Sequence, residues 1–537
     1  MLPFAPLVAF QAQSPADLVV VNAKIWTDGH LRKEDCIAVK AGKVVYLGSI
    51  TGLKLSKKTV IVDAKRRVVI PGLIDSHTHL MEGGTGLIDQ LDLRGATTKE
   101  DFIRRIRDFS AKLPAGKWVI GHSWSAESWP GQPQPRKEWI DEATGGRPAV
   151  LERMDGHSVL VNSAALKLAN IDKNGPANPA GGVIDRDSDG EPTGILRERA
   201  SGLVNPPAPS AEDTYRGFKA AVKNANSFGV TASSDIASPL RIAFYRRYFA
   251  EKNPTFRIGF YSRTDSWPLA FQALAQAKPI AGWFQPNGVK AYMDGSLGSR
   301  TAYMHEPFTK PLPQQPADWR GLPMPGAVDG TYATRFQEAA SRGLQVIVHA
   351  IGDQANHDVL DLFSQVPNVQ SRRFRIEHVQ HLLPSDYESF AKFGVIPSMQ
   401  PYHKADDGRY CEDVIGTVRS RSSYVFNSLL GHQAKLAFGS DWPVVTINPW
   451  EGIKTAVTGQ ILTGKIWMPE QNISLDEALD SYTRRGAYAM KMESVIGSLT
   501  AGHRADFVIL NLDAFKQGID LAKVRPISLY VEGRKVY

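Results

Sequence analysis

Cysteine is scarce in this chain, with only Cys36 and Cys411 among 537 residues. Two cysteines so far apart exclude a disulfide framework and a cysteine-rich zinc site. No apolar run approaches the roughly 20 residues that a membrane-spanning helix needs. The 63 basic and 55 acidic residues are interspersed, and the net charge of +8 forms no stripe of the kind that binds nucleic acid. We expect a small-molecule partner, with neither nucleic acid nor membrane.

The chain is longer than one hydrophobic core usually supports, and its 42% apolar and 22% charged residues are typical of a globular protein. Residues 1–16 carry a short apolar run followed by small and polar residues. This pattern is typical of a disordered terminus or of the remnant of a secretory signal. The second alternative predicts a periplasmic or secreted protein, and the first a cytoplasmic one. A homo-oligomer is equally compatible with the sequence.

Both ends of the chain carry short alternating segments separated by Gly, Lys and Asp turns. In residues 17–69 these include DLVVVNAKIWT and CIAVKAGKVVYLG, and the same pattern returns in residues 491–537. Such segments predict antiparallel strands. We therefore expect the two ends to pair into one small β-sandwich beside the central domain.

Residues 70–490 are predicted to form the catalytic domain. Eight strand-like segments alternate with helical ones, at 68–75, 230–238, 257–263, 287–298, 344–353, 374–380, 395–401 and 435–443. This order predicts an α/β fold, a (β/α)₈ TIM barrel. Residues from about 81 to 225 are too many for a loop between strands, so we expect an inserted subdomain over the mouth of the barrel.

Polar side chains with metal-binding or acid–base chemistry follow five of these strands. They are His77, His79, Lys290, His349, His378 and Asp441. Each has a structural alternative, as a buried hydrogen-bonded imidazole, a paired lysine or a helix cap. Barrel enzymes place their chemistry at the carboxyl ends of the strands. Because imidazole and carboxylate bind zinc, convergence of the six predicts a metal site.

Together the motifs resemble a known family. Pro-Gly-x-Ile-Asp-x-His-x-His at residues 71–79, with the histidines of HAIGD and RIEHVQ and the aspartate of FGSDWP, resembles the amidohydrolase superfamily. The runs 294–301 and 152–163 resemble its subgroup that contains N-substituted formamide deformylase. The resemblance covers nearly the whole chain.

The resemblance implies a ligand set for one or two divalent metal ions, which we expect to be zinc. By it, His77, His79 and Asp441 bind the more buried metal, and His349 and His378 bind the second. Lys290 then bridges both as a carbamate, because an ammonium with pKa ~10.4 cannot bind a cation. The alternative is a structural lysine paired with Asp294 or Glu377, in a site with one metal.

The expected reaction is hydrolysis of a non-peptide carbon–nitrogen bond, in an N-acyl or N-formyl amide of a small amine. Metal-bound water, with its pKa lowered to about 7, attacks the carbonyl. Asp441 acts as general base and then as general acid for the departing nitrogen. Cyclic amide or ester hydrolysis, deamination and a non-catalytic sensor of a small ligand remain alternatives.

Several further residues are predicted substrate contacts. His157 is our choice for the carbonyl, as a second catalytic residue, with His122 and Trp124 next; Asp294 and Arg300 belong to the subgroup motif. Aromatic residues near the predicted mouth suit an apolar substituent, although each can be a core residue instead. These aromatic residues are Trp124, Trp129, Tyr292, Tyr402 and Trp442.

Overall fold

A computed structural model of the protein describes residues 15–53, 55–127, 129–263, 266–312 and 315–537. The prediction for residues 1–16 therefore lies almost wholly outside the described residues. Ala16, one of the two described members of that segment, is buried beside Val19 and Cys36. In the described ranges, no helix has both the length and the apolar character needed to cross a membrane.

The centre of the molecule is an eight-stranded parallel sheet whose strands follow one another in chain order. The strands are Leu73–Thr78, Val230–Ala237, Arg257–Arg263, Phe284–Tyr292, Gln345–Ala350, Arg375–His378, Ile396–Met399 and Ala437–Phe438. A parallel bridge between Thr78 and Trp442 joins the first strand to the last, so the sheet is nearly closed. The TIM barrel prediction is confirmed.

Helices alternate with these strands and cover the outside of the barrel. They are Leu80–Asp89, Ala211–Ser227, Ile242–Ala250, Trp267–Gln276, Pro325–Val328, Thr331–Ser341, Asp353–Ser364, Val369–Arg372, Tyr387–Lys392, Pro401–Asp407, Cys411–Ile415, Thr417–Ser420, Phe426–Gly431, Pro449–Thr458, Leu475–Ser481 and Arg484–Ala489. Local sequence sets several of their ends. The Ser474 hydroxyl accepts from the Glu477 N–H, and the Glu477 carboxylate accepts from the Ser474 N–H, which is a capping box.

The apolar run predicted as the first strand divides between two sheets. Val68–Pro71 belongs to the terminal sandwich and Leu73–Thr78 to the barrel. Gly72 lies at the break, where its N–H donates to the Asp506 carbonyl at 2.8 Å. A Cβ at Gly72 would lie 2.3 Å from the Thr231 hydroxyl oxygen, so the close approach requires glycine. A continuous apolar pattern does not show which sheet each residue joins.

The two ends of the chain form the predicted sandwich. One sheet contains Leu18–Val21, Cys36–Lys40, Lys43–Gly48 and Val60–Asp63, and the other Lys24–Thr27, His30–Leu31, Val68–Pro71, Phe507–Leu510, Pro526–Val531 and Arg534–Lys535. The expectation of purely antiparallel strands is wrong. Leu18–Val21 pairs in parallel with Val60–Asp63, and Lys24–Thr27 with Val68–Pro71. The chain moves between the two sheets, so these paired strands are not consecutive.

The insertion follows the helix Leu80–Asp89 and has a sheet and cores of its own. Its strands are Leu91–Asp92, Val119–Trp124, Ala149–Arg153, Ser158–Val161, Gly182–Arg186 and Pro192–Glu198, and its helices are Lys99–Ser110, Lys137–Asp141 and Ser163–Leu168. The segment from Glu152 to His157 contributes to the wall of the cavity at the carboxyl ends of the barrel strands. The insertion therefore covers the mouth of the barrel, as predicted.

Candidate metal centre

A cavity of about 640 Å³ opens at the carboxyl ends of the barrel strands. The six predicted strand-end residues and His157 all line it, although they are scattered over more than 360 positions, from His77 to Asp441. Two residues of lower priority in the sequence analysis, His122 and Tyr292, also line the cavity. The structure therefore brings together the chemistry that the strand ends predicted.

The tightest group consists of His77, His79 and Asp441. The Nε2 atoms of His77 and His79 lie 3.3 Å and 3.2 Å from the same oxygen of Asp441, Oδ1. Ligands bonded at about 2.0–2.1 Å to a tetrahedral zinc ion are roughly 3.3 Å apart. Asp441 has a positive φ of 61°, and its N–H donates to the His77 carbonyl at 2.8 Å. This backbone turn aims the carboxylate at the two imidazoles.

Hydrogen bonds fix the ring orientation of both histidines. The His79 Nδ1–H donates to the Ile236 carbonyl at 3.0 Å, and the His77 Nδ1–H donates to Glu377 Oε2 at 2.5 Å. Glu377 in turn accepts two hydrogen bonds from Arg375, at 2.7 Å and 2.9 Å. Burial raises the pKa of Glu377, but the charges of Arg375 and His77 outweigh it and lower the pKa to about 2. Both Nε2 lone pairs therefore point to the shared site.

His349 and His378 lie beside this group, with their ring centroids 4.4 Å apart. The His378 Nδ1–H donates to Gln400 Oε1 at 2.8 Å, which leaves its Nε2 free for a metal. His349 has the reverse arrangement, because its Nε2–H donates to the Gly295 carbonyl at 3.0 Å and leaves Nδ1 free. Burial lowers the pKa of both imidazoles well below the ordinary value. Neutral rings have no proton to displace when they bind a metal.

The residues present fit a divalent metal ion. The Nε2 atom of His77 is buried and has no hydrogen-bond partner among the described residues. Potential ligand atoms of His77, His79 and Asp441 lie within 4.8 Å of one another. Buried polar atoms are almost always satisfied, so a group of this kind calls for a bound species. The sequence did not indicate His403, and it suggested Glu377 only as a partner of Lys290, not of His77.

Lys290 lies in the same cavity and is only 3% exposed. Burial lowers its pKa to about 8, although Glu377 and Asp441 act in the opposite direction. The structural pairing considered for this lysine is not formed: Glu377 binds Arg375 and His77, and Asp294 accepts backbone N–H groups. Its carboxylation stays a prediction.

His157 of the insertion is a cation at neutral pH. His157 Nδ1 lies 3.0 Å from Glu198 Oε2, and its ring is 5.1 Å from that of His349. Burial lowers the pKa of His157, but Glu198 raises it by more, to about 9. A protonated imidazole therefore faces the strand-end histidines from the insertion.

Three residues predicted to bind substrate lie elsewhere, which corrects those predictions. Trp124 is 1% exposed in the core of the insertion, where its Nε1–H donates to the Leu151 carbonyl at 2.8 Å. Asp294 accepts backbone hydrogen bonds from Ile351, Gly352 and Tyr303. The Arg300 guanidinium donates to the carbonyl groups of its own turn, at Leu297 and Gly298. Each of these three side chains makes its hydrogen bonds with backbone groups of the protein.

Among the predicted mouth aromatics, only Tyr292 lines the cavity. Trp129 packs in the core of the insertion, and Trp442 packs under Gly83, where an added Cβ would lie 2.5 Å from the indole ring. Tyr402 is half-buried beside the cavity-lining His403. Trp129 and Trp442 therefore take the core alternative that the sequence left open.

Comparison with known proteins agrees with this site. Residues 60–537 match the amidohydrolase family. Protein LONG AFTER FAR-RED 3 of Arabidopsis thaliana is 35% identical over 97% of this chain and 92% of its own length. N-substituted formamide deformylase of Arthrobacter pascens is 25% identical, over 96% of this chain and 97% of its own. The crystal structure of an uncharacterised metal-dependent hydrolase from Pyrococcus horikoshii is 26% identical, with a TM-score of 0.73 over 94% of this chain and 99% of that one. The chain therefore belongs to the amidohydrolase family and is a metal-dependent hydrolase that acts on carbon–nitrogen bonds.

Proposed function

We propose that the protein hydrolyses an N-acyl or N-formyl amide of a small amine. The observation that carries the proposal is one cavity that holds an anionic carboxylate, Asp441, and a cationic imidazole, His157, beside the neutral imidazoles of His349 and His378. Amide hydrolysis needs a base for water, a donor for the carbonyl oxygen and an acid for the leaving nitrogen. The name of the Arthrobacter pascens relative supports a formyl or similar acyl group.

His77, His79 and Asp441 would hold one metal ion, and His349 and His378 a second, with Lys290 between them if it is carboxylated. A divalent metal bound here would supply a water molecule that loses its proton near neutral pH. The metal would also polarise the substrate carbonyl. We expect zinc, because imidazole nitrogen and carboxylate oxygen are its usual ligands in tetrahedral catalytic sites.

Asp441 carries the proton between the two stages of the reaction. Burial raises its pKa, but His77 and the neighbouring imidazoles outweigh burial and hold the pKa well below the ordinary value. The carboxylate is therefore ready to accept the proton of the attacking water. It then returns that proton to the nitrogen, because an amide nitrogen leaves only as a protonated amine.

His157 binds the carbonyl oxygen of the substrate. Its N–H groups are both present at neutral pH, since Glu198 keeps the ring protonated. Nδ1 is occupied by Glu198, so Nε2–H remains for the substrate. Negative charge that develops on the oxygen in the tetrahedral intermediate is stabilised by this fixed cation.

The test is a substrate panel with purified protein of known metal content. The panel contains the formyl and acetyl amides of small alkyl and arylalkyl amines, cyclic amides, esters and amino-substituted heterocycles. We expect release of free amine from the linear amides. Hydrolysis of cyclic amides or esters alone, or release of ammonia from the heterocycles alone, would replace the proposed reaction with the corresponding one. Bound metal without turnover of any compound would favour a sensor.

A further inference from the structure

His403 differs from the other imidazoles around the cavity in the direction of its hydrogen bonds. It lies on the helix Pro401–Asp407, directly after the seventh barrel strand. Its side chain is 11% exposed, and its ring is parallel to that of His378, with the centroids 6.0 Å apart. The His403 Nε2 atom lies 3.9 Å from Asp441 Oδ2, which is too long for a direct hydrogen bond.

The contact at Nδ1 decides which nitrogen of His403 carries the proton. Nδ1 lies 3.2 Å from the side-chain nitrogen of Gln380, which can only donate. Nδ1 is therefore the acceptor, and a neutral ring carries its proton on Nε2. His77, His79 and His378 are the opposite, because their Nδ1–H groups donate to Glu377, Ile236 and Gln400. Those three rings present lone pairs to the metal centre, whereas His403 presents an N–H.

This N–H has no acceptor among the described residues, although it is buried. Asp441 Oδ2 is too far away to accept this hydrogen bond, so the N–H has an acceptor only when another molecule is bound. An oxygen atom placed near both groups would accept from His403, while a neighbouring nitrogen could receive a proton from Asp441. A substrate amide has an oxygen and a nitrogen on the same carbon.

We propose that His403 is a catalytic residue that donates a hydrogen bond from Nε2 to the carbonyl oxygen of the substrate, and that it is not a metal ligand. The inference rests on the proposed amide hydrolysis. The substrate carbonyl oxygen then has two donors, the cationic His157 of the insertion and the neutral His403 of the barrel. The neutral donor stabilises the oxyanion without itself delivering a proton, so Asp441 keeps the role of acid.

The experiment compares His403→Phe and His403→Gln with the matched control His432→Phe, which replaces an exposed histidine. Each full-length protein is analysed for bound zinc by mass spectrometry and for kcat/KM with N-butylacetamide. The affinity for N-butyl methylphosphonamidate, a tetrahedral mimic, is measured by calorimetry. Circular dichroism verifies folding of each variant.

We expect His403→Phe to keep the zinc content of the wild type and to lose roughly 10²–10³ in kcat/KM, the usual effect of removing one oxyanion donor. Affinity for the phosphonamidate falls by a similar factor. His403→Gln keeps an N–H donor and recovers part of both losses. The control behaves as the wild type.

Loss of zinc in folded His403→Phe would show that the residue is a ligand and would overturn the inference. Unchanged kcat/KM and unchanged phosphonamidate affinity would overturn it as well, while leaving amide hydrolysis intact. The proposed function fails separately, if wild-type protein with full zinc content hydrolyses no amide of the panel. Failure of that protein to bind the phosphonamidate would then overturn both.

Discussion

The charge on His157 offers a direct test of the site, because Glu198 contributes most to maintaining it. Burial lowers the pKa of His157, but Glu198, with Asp155 and Asp294, raises it from its usual 6.5 to about 9. This difference corresponds to about 3 kcal/mol in favour of the protonated ring. Glu198→Gln removes the largest of the three charges that raise the pKa and leaves the burial that lowers it. We expect the pKa of His157 to fall in this variant.

The pH dependence of kcat/KM reports this change. In the wild type, a raised pKa keeps His157 protonated and active at neutral pH, and the alkaline decline follows its deprotonation near pH 9. In Glu198→Gln the decline begins at a lower pH, and where the ring has lost its proton the rate is lower by at least ~10² if the cation supplies one oxyanion donor. Glu212→Gln, which alters an exposed pair with Arg247, is the control.

The same pair contributes to stability with a defined sign. Because the folded-state pKa of His157 is raised, its contribution is fully present below the unfolded value of about 6.5 and is lost as the pH rises through about 9. Chemical denaturation of wild type and Glu198→Gln at pH 6 and pH 9.5 should therefore show a larger difference at pH 6. Superimposable rate profiles, or equal differences in stability at both pH values, would refute this account of His157.

Four other predictions concern the metal ligands and the domain contact. Asp441→Asn should keep the fold but lose turnover by at least ~10², because the amide cannot carry the proton; a near-normal rate would remove Asp441 from that role. Chelation should abolish amide hydrolysis and zinc should restore it, and full activity of metal-free protein would contradict the site. Lys290→Met should lower the zinc content, because methionine cannot form a carbamate, and in the wild type the electron density should extend beyond Nζ of Lys290; an unchanged zinc content would exclude a bridging carbamate. Asp506→Ala leaves Arg257, which is 0% exposed, without the two hydrogen bonds of 2.8 Å and 3.0 Å that it makes to Asp506; we expect a loss of about 3–5 kcal/mol in denaturation, and a loss no larger than that of Asp513→Ala, which removes the half-buried partner of Lys24, would refute this.

The barrel and most of the metal centre were accessible from the sequence because both follow general rules. Buried parallel strands give continuous apolar runs, and their carboxyl ends meet on one face of a barrel. His77, His349, His378 and Asp441 each stand at such an end, so their convergence needed no knowledge of distances. The break at Gly72 was not visible, because the apolar run continues across it from Val68–Pro71 into the start of Leu73–Thr78, although the two strands join different sheets.

Residues that do not stand at the ends of barrel strands were predicted poorly, because the strand-end rule does not give their positions. His403 lies in the first turn of a helix after its strand, and its importance comes from Gln380, which reaches Nδ1 from another loop. Asp294 and Arg300 belong to a motif, but a motif does not show whether a side chain points to the cavity or back to the chain. Both point to backbone groups: Asp294 accepts from the N–H groups of Tyr303 and Gly352, and Arg300 donates to the Gly298 carbonyl. The sequence did not show in which direction these side chains point.

The insertion is a fixed part of the active site, as its charge network shows. Arg153 of the insertion bonds both Glu127 and Asp155. Asp155 also accepts the hydroxyl groups of Ser296 and Ser299, at 2.8 Å and 3.0 Å, from the loop after the fourth barrel strand. Burial raises the pKa of Asp155, but Arg153 outweighs it and lowers the pKa to about 2, so the carboxylate stays charged at neutral pH. Opening the roof would separate these buried groups, which is costly. Asp155 also accepts a hydrogen bond from the backbone N–H of His157 at 3.1 Å. The same network therefore fixes the position of the His157 side chain relative to the barrel histidines.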